Sequence, residues 1–444
     1  SEVLRNARQL LASTVSGQAS EEAYKVIEKI NMGILNIETI NPVKSLRELT
    51  GLKELVKNSR VVALGEGAHF IREYWEFRQH LFQFLHEECG FNFFTMEFGF
   101  VEGFKLNEWI NDAGDKSRLA DYSESAFKWG AAETMKWLRE YNADNQRRIS
   151  FAGIDISEAG GTILPALLQI HDYLKKVDSL EALIPDLIEI AESFSDLSSI
   201  KAINKWKNIS PQNQYKLYAE MNKIKLRFLT LKHLYVQASS EVEYEIAFRF
   251  LETAITTIYV LQASADMFSG TGLPFDMSAR EKFMADSIMW HLRHSAPDTR
   301  IVVFAHNNHI QKTPVQYGDY VTAYPMGFYL NEYLGTDYAT IGLTTTDTRI
   351  PDMDLDNSSS VGFKIVSKKV GLPVVGSIEN LLVEHGNKNK LSFIDLKSSR
   401  QSQELEKIYY FRSQSAYITT SSIQKTFDGL VSIPQISLDK SIRF

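Results

Sequence analysis

Residues 61–85, VVALGEGAHFIREYWEFRQHLFQFL, decide how we interpret the fold. The apolar run at 61–64 has the length of a fully buried strand, and a glycine-rich turn follows it. From residue 71 onward the apolar residues recur at helical spacing. The stretch therefore predicts a strand, a loop that carries Glu66 and His69, and a helix, as in one βα unit of a parallel sheet.

Similar units occur elsewhere in the chain. Three further short, β-rich runs end on ionisable residues and are followed by helical periodicity, and a fifth run ends in threonines. Together they predict an α/β fold with a mostly parallel central sheet flanked by helices. The five runs are 61–64, 91–98, 149–156, 301–305 and 338–344.

The 444 residues are about three times the length of a usual domain. Long helical segments such as 212–231 and 241–267 predict a helical lobe inserted into the sheet, and short strand patterns after residue 350 predict an extension. We predict four segments: a first part of the α/β core at 1–160, the helical lobe at 161–290, a second part of the core at 291–350, and a C-terminal extension packed on the core at 351–444.

Composition limits the possible classes of function. No apolar run approaches the roughly 18 residues needed to cross a bilayer, so we expect no membrane association. The net charge of −7, without a Lys/Arg cluster, argues against a nucleic-acid partner. Cys89 is the single cysteine, which excludes an intramolecular disulfide and a cysteine-based zinc site. We expect a cytoplasmic protein, although a cleaved signal sequence would leave no trace.

Ionisable residues lie at the ends of the predicted strands, where open α/β sheets bind their ligands. The alternative is a purely structural role in capping helices or fixing turns, which applies most to Asp155 and His309 and less to His69 and Glu97. The residues concerned are Glu66 and His69 in GEGAH, Glu97 in MEF, Asp155 in GID, and His306 and His309 in AHNNH.

Arg78 falls in the middle of the apolar face predicted for the helix after GEGAH. An arginine keeps its charge, so its burial there requires a carboxylate or an anionic transition state as partner. The alternative is that the long side chain reaches the surface.

Other catalytic schemes lack their motifs. The chain has no G-x-S-x-G elbow and no Walker A sequence, and GEGAHF fails the dinucleotide fingerprint at its last position. HEECG at 86–90 starts like a zinc-binding helix but ends in glycine. A site of His, Glu and Arg favours water activated by a general base. The threonines at 344–346 remain the alternative as a covalent nucleophile.

Nine segments, in order over nearly the whole chain, resemble one family of hydrolases, the erythromycin esterases, and most closely the EreB-type macrolide esterases. The resemblance implies an α/β core with a helical lobe. It also implies hydrolysis of the lactone ester of 14-membered macrolides such as erythromycin, which confers macrolide resistance and needs no metal or cofactor. The segments are GEGAHF (65–70), EFRQHLFQFL (76–85), FNFFTMEFGFVEG (91–103), KWLREYN (136–142), FAGIDISEAGG (151–161), EKFMADSIMWHL (281–292), VVFAHNNHIQKTP (302–314), YPMG (324–327) and FDGLVSI (427–433).

The resemblance also implies roles for six residues, all of the residue type that the family has. His69 would be the general base that activates water, with Glu66 beside it. Arg78 and Glu97 would complete the polar floor, and His306 and His309 would match the family's second histidine pair. An unperturbed histidine titrates near about 6.5, so a neutral imidazole can accept a proton from water. Either His306 or Arg78 could stabilise the oxyanion, and the sequence does not decide between them.

Three other functions stay open at this point. Glu-x-x-His with His-x-x-His and Glu97 is also a plausible ligand set for zinc or manganese. A binding protein that has lost turnover would keep the pocket, although such a pocket has little use for six polar residues. A family esterase could also act on an ester other than a macrolide, because the matching segments are weakest in the helical lobe.

Overall fold

The computed structural model describes residues 33–37, 50–112, 114–123, 125–144, 146–398 and 403–443. They form a mixed α/β fold whose mostly parallel sheet has eight strands flanked by helices, so the predicted fold class is confirmed. None of the helices in these ranges is both long and apolar enough to cross a membrane.

The strands and helices have the following bounds. The strands are β1 Ile34–Asn36, β2 Val61–Leu64, β3 Phe93–Gly99, β4 Ser150–Asp155, β5 Ile301–Phe304, β6 Val315–Tyr317, β7 Tyr320–Ala323, β8 Tyr338–Thr344, β9 Arg349–Leu355, β10 Phe363–Lys369, β11 Ser392–Asp395, β12 Tyr410–Ser413, β13 Ala416–Thr419 and β14 Gly429–Ser432. The helices are α1 Thr50–Val56, α2 Arg72–Cys89, α3 Phe100–Ile110, α4 Leu119–Tyr122, α5 Ser125–Lys128, α6 Ala132–Asp144, α7 Leu164–Val177, α8 Ile184–Phe194, α9 Ser199–Trp206, α10 Pro211–Ala238, α11 Glu241–Phe268, α12 Ser278–Arg293, α13 Asn307–Ile310, α14 Met326–Leu334, α15 Ile378–Glu384 and α16 Ile423–Thr426.

The chain divides into two compact units. The four predicted segments remain a prediction, because they divide the chain into consecutive stretches of sequence, whereas each compact unit combines several separate stretches. The first unit comprises Ser1–Asn92, Asp298–Asp352 and Ile365–Ile442, and the second comprises Phe93–Pro297, Met353–Lys364 and Arg443–Phe444.

Six strands of the sheet belong to the first unit, in the order β1-β11-β14-β8-β2-β5. Strand β2 is buried along its length and runs parallel to both β5 and β8. Parallel neighbours end at the same edge, so the loops that follow β2, β5 and β8 meet there. The segment after residue 350 supplies β11 and β14 to the sheet itself, with β14 parallel to β8 and β11 antiparallel to β14.

Helix α2 buries the face that the apolar spacing predicted. Tyr74, Leu81 and Leu85 are fully buried, and Arg78 lies among them. The helix ends where Gly90 takes a left-handed conformation (φ 75°), which glycine adopts at low cost. The Gly90 N–H donates to the carbonyl of His86 and closes the last turn.

The second unit combines two parallel strands, β3 and β4, with most of the long helices. The predicted helical segments are confirmed by α10 and α11, which begin after the N-caps Ser210 and Ser240. Each cap hydroxyl accepts an N–H from the first turn of its helix. An apolar core that includes Trp206, Phe228 and Phe250 holds the helices of this unit together.

Helix α3 packs directly against β4 through two glycines. A Cβ on Gly103 would lie 2.3 Å from the backbone nitrogen of Gly153. Because both groups belong to regular elements, neither can move without separating the helix from the strand.

We predict that Gly103→Ala destabilises the protein by about 1–3 kcal/mol, the usual cost of overpacking a core. The midpoint of urea unfolding, followed by tryptophan fluorescence, measures the effect. Gly51→Ala is the matched control, because a Cβ there meets its nearest neighbour, Leu35 Cδ1, at an ordinary 3.5 Å. Equal midpoints for the two variants would show that the α3–β4 contact tolerates a side chain.

Candidate active site

The GEGAH loop turns sharply over the edge of the first unit's sheet. A Cβ on Gly65 would lie 1.9 Å from Oδ1 of Asn307, and a Cβ on Gly67 would lie 2.7 Å from the carbonyl oxygen of Leu343. The two glycines are therefore needed for close approach. Asn307 fixes the loop further: its N–H donates to the carbonyl of Glu66, and its side chain bonds both backbone groups of Leu343.

His69, Glu66 and Arg78 form a hydrogen-bonded row. Oε1 of Glu66 lies 2.7 Å from Nδ1 of His69, and Oε2 accepts from Nη2 of Arg78 at 2.8 Å. The exposed side-chain fraction falls from 21% for His69 to 9% for Glu66 and 1% for Arg78. The histidine is thus the member of the row that is most accessible to solvent.

The Glu66 carboxyl is held in its ionised form. Burial alone raises its pKa, but the positive charge of Arg78 and the hydrogen bond to His69 outweigh burial, so the pKa lies below its ordinary value. An ionised Glu66 accepts the proton of His69 Nδ1, which leaves Nε2 as the basic nitrogen of a neutral imidazole.

Aromatic rings account for the burial of Arg78. Its guanidinium carbon lies 4.4 Å from the ring centre of Trp75 and 4.9 Å from that of Phe304. Such rings attract a cation through their π-faces. The alternative that Arg78 reaches the surface is therefore wrong. Of the two partners that its burial could require, a carboxylate or an anionic transition state, the structure shows the carboxylate of Glu66.

The second histidine pair follows β5 in the same unit. The ring centres of His306 and His69 lie 4.9 Å apart, and those of His306 and His309 lie 6.4 Å apart. Nδ1 of His306 accepts the N–H of Asn308 at 3.1 Å and caps the short helix α13. A neutral His306 therefore carries its proton on Nε2, from which it can donate.

A second ionic cluster lies in the second unit. Arg280 donates from Nη2 to Glu97 at 2.8 Å and from Nε to Asp155 at 3.0 Å. Asp155 also accepts the N–H of Ile156, so it fixes the end of β4 as well as binding Arg280. The sequence analysis identified both carboxylates but missed Arg280. Its position directly before the matched segment 281–292 was the available signal.

Glu102 is a further titratable group that the sequence analysis missed. Burial raises its pKa to about 7, and the hydroxyl of Ser157 donates to its Oε2 at 3.1 Å. Glu102 lies on α3, five residues after Glu97 of β3, and no sequence motif around it indicates a carboxyl with a shifted pKa.

The alternative nucleophiles are engaged elsewhere. The hydroxyl of Thr344 donates to Glu379, and that of Thr346 donates to the carbonyl of Lys388. The hydroxyl of Thr345 accepts the N–H of Asp347. Burial raises the pKa of the Cys89 thiol, which disfavours the reactive thiolate.

The metal-ligand hypothesis requires at least three His, Cys, Asp or Glu side chains grouped around one point. Across the ranges that the structure describes, no three His, Cys, Asp or Glu side chains are grouped so that they could hold a metal ion.

Comparison with known proteins identifies the family. Residues 86–436 match the family model described as erythromycin esterase. The chain belongs to the erythromycin esterase family. It is 30% identical over 410 residues to erythromycin esterase type II of Escherichia coli, which covers 90% of this chain and 96% of that protein. It is 27% identical over 396 residues to erythromycin esterase type I of Escherichia coli, which covers 88% and 94%.

Among solved structures, a mutant of the erythromycin esterase EreC in its open conformation is similar to this chain. The TM-score is 0.87 at 26% identity, and the match covers 93% of this chain and all of the EreC chain. The recognition of the family from sequence is thereby confirmed. The protein is accordingly a carboxylic ester hydrolase.

We predict that Arg78→Met reverses the pH dependence of the contribution that Glu66 makes to the stability of this esterase. In the wild type, the lowered pKa of Glu66 contributes stability above about pH 4.3, the unfolded value, and the contribution is lost as the pH falls through the folded pKa. Without the arginine, burial dominates, the folded pKa rises above the unfolded value, and stability falls as the pH rises. The stability difference should therefore grow from about pH 4 to about pH 7, where it should reach about 3–5 kcal/mol.

Urea unfolding at both pH values measures this difference. Arg72→Met is the matched control on the same helix, because the Arg72 side chain is 56% exposed and its removal leaves Glu66 paired. A difference of the same size at both pH values would contradict the assignment of the Arg78 charge to Glu66.

Proposed function

We propose that this chain hydrolyses the lactone ester of 14-membered macrolides such as erythromycin, by attack of water that His69 activates, and that it thereby confers macrolide resistance. The row His69–Glu66–Arg78 is the observation that carries the mechanism. The substrate class is supported by the names of the two similar Escherichia coli proteins, both erythromycin esterases.

Proton transfer runs through His69. Its Nε2 takes a proton from water as the oxygen attacks the lactone carbonyl carbon, and Glu66 stabilises the imidazolium that forms. Arg78 keeps Glu66 ionised and fixed in position, so the carboxylate does not compete for the proton. When the tetrahedral intermediate collapses, the imidazolium returns its proton to the departing alkoxide, and the open chain carries a carboxyl and a new hydroxyl.

His306 is our choice for the donor that stabilises the oxyanion. Arg78 is 1% exposed and already bound to Glu66, whereas the ring of His306 is adjacent to that of His69. One donor aimed at the developing oxyanion is worth about 3 kcal/mol of transition-state stabilisation. The roles of Glu97 and His309 stay as the family resemblance implies them, as parts of the polar floor and of the second histidine pair.

We predict that the wild-type protein converts erythromycin to a product heavier by one water and that His69→Ala lowers kcat by about 10²–10⁴-fold, the usual contribution of a general base. The unfolding midpoint should stay near that of the wild type, because His69 lies on a loop with its side chain partly exposed. Mass spectrometry of the product and steady-state kinetics test both parts.

His233→Ala is the control for this experiment, since His233 is an exposed histidine of the second unit. A folded His69→Ala variant with kcat within about tenfold of the wild type would remove His69 from the mechanism. If the wild-type protein leaves erythromycin intact but hydrolyses another ester, the proposed reaction would stand and the proposed substrate would be wrong.

Activity should survive extended dialysis against a strong chelator. The guanidinium of Arg78 lies 2.8 Å from Glu66 and offsets the negative charge of its carboxylate, which disfavours a metal cation at that group. Turnover before and after dialysis, with elemental analysis of the dialysed protein, measures the effect. Loss of activity that zinc or manganese restores would reassign the histidines and glutamates as ligands.

A further inference from the structure

The turn between β12 and β13 has an unusual residue at its first position. Ser413 pairs with Ala416, so Gln414 and Ser415 form a two-residue hairpin loop. Gln414 has a φ of 52°, in the left-handed region where such turns prefer glycine. A side chain in that conformation is strained, and strain of this kind is kept where the surrounding structure makes use of it.

Both halves of Gln414 bind the loop that carries His69. Its backbone N–H donates to the carbonyl of Gly67 at 2.7 Å, and its Oε1 accepts the N–H of His69 at 2.8 Å. The GEGAH loop is therefore held on both sides of Ala68. Within the described ranges, the buried Nε2 of Gln414 has no hydrogen-bond partner, so His69 alone accounts for the orientation of the amide.

The two residues before Gln414 anchor the hairpin. The N–H of Arg412 donates to the buried carboxyl of Glu379 at 3.1 Å, and its guanidinium donates to the carbonyl of Asp347 at 2.7 Å. The hydroxyl of Ser413 donates to the side chain of Asn308 at 3.0 Å, in the loop between His306 and His309. Residues 412–414 thus contact the loops after β2, β5 and β8 together.

We propose that Gln414 is a positioning residue for His69, held in place by its neighbours Arg412 and Ser413. The proposal rests on the proposed function, in which His69 is the general base. The Oε1 acceptor fixes the backbone of His69, and with it the bond between Nδ1 and Glu66. A displacement of about 1 Å in such a group can cost about 10²-fold in rate.

Gln414→Gly separates this role from a structural one. Glycine removes the acceptor but also removes the left-handed strain, so the unfolding midpoint should stay the same or rise. We expect kcat to fall roughly 10- to 100-fold while KM for erythromycin changes less than about twofold. If Gln414 were needed only for folding, its replacement would instead lower the unfolding midpoint of the protein.

Three further variants complete the test. Gln414→Glu keeps an acceptor oxygen and should regain most of the lost kcat, whereas Gln414→Met keeps the length without the acceptor and should stay slow. Ser415→Ala removes a different bond of the same turn, from the Ser415 hydroxyl to Asp352, and should leave kcat unchanged. If the glycine variant fails to fold, the methionine and glutamate variants decide the question.

The double variant His69→Ala/Gln414→Gly distinguishes the two proposals. If Gln414 acts through His69, the double variant should be no slower than His69→Ala alone. An active His69→Ala variant would overturn the proposed function. An inactive His69→Ala variant, together with a folded Gln414→Gly variant of normal kcat, would overturn only the role of Gln414.

Discussion

The candidate active site in the first unit depends on the ion pair between Glu66 and Arg78. A buried carboxylate without a cation would become protonated, and a buried guanidinium without an anion would be strongly destabilising. With both present, Glu66 keeps its charge and can orient His69. The rings of Trp75 and Phe304 pack against Arg78, and the close-packed glycines fix the loop that carries Glu66, so both members of this pair are held in place.

Much of this arrangement could be predicted from the sequence, because the pair lies within one βα unit. Glu66 and Arg78 are 12 residues apart, so the strand pattern, the turn and the helical spacing together indicate a buried arginine near a carboxylate. The five strands were predictable for the same reason, since each is a short apolar run with clear ends. Local periodicity is informative wherever the residues that interact are close in sequence.

Contacts between distant segments could not be predicted. Gln414 lies 345 residues from His69, in a segment with weak periodicity. Arg280 lies 125 residues from Asp155, on a helix that is distant in sequence from the end of β4. The strands β11 and β14 are only four residues long, and their place in the sheet depends on pairing rather than on their own pattern. Such placements are set by packing, which a single sequence does not display.

The two ionic clusters differ in the groups that they pair, and this difference bears on the chemistry that each could support. In the first, one carboxylate binds one arginine and one histidine, so the histidine can gain a proton next to an anion that is already fixed. In the second, one arginine binds two carboxylates, Glu97 and Asp155. A general base needs the first arrangement, since its conjugate acid is stabilised without a competing proton acceptor. The second arrangement suits a fixed acceptor of hydrogen bonds, because one guanidinium holds both carboxylates in place. This difference supports the proposed role of His69 in proton transfer and distinguishes it from Glu97, although both residues lie at strand ends.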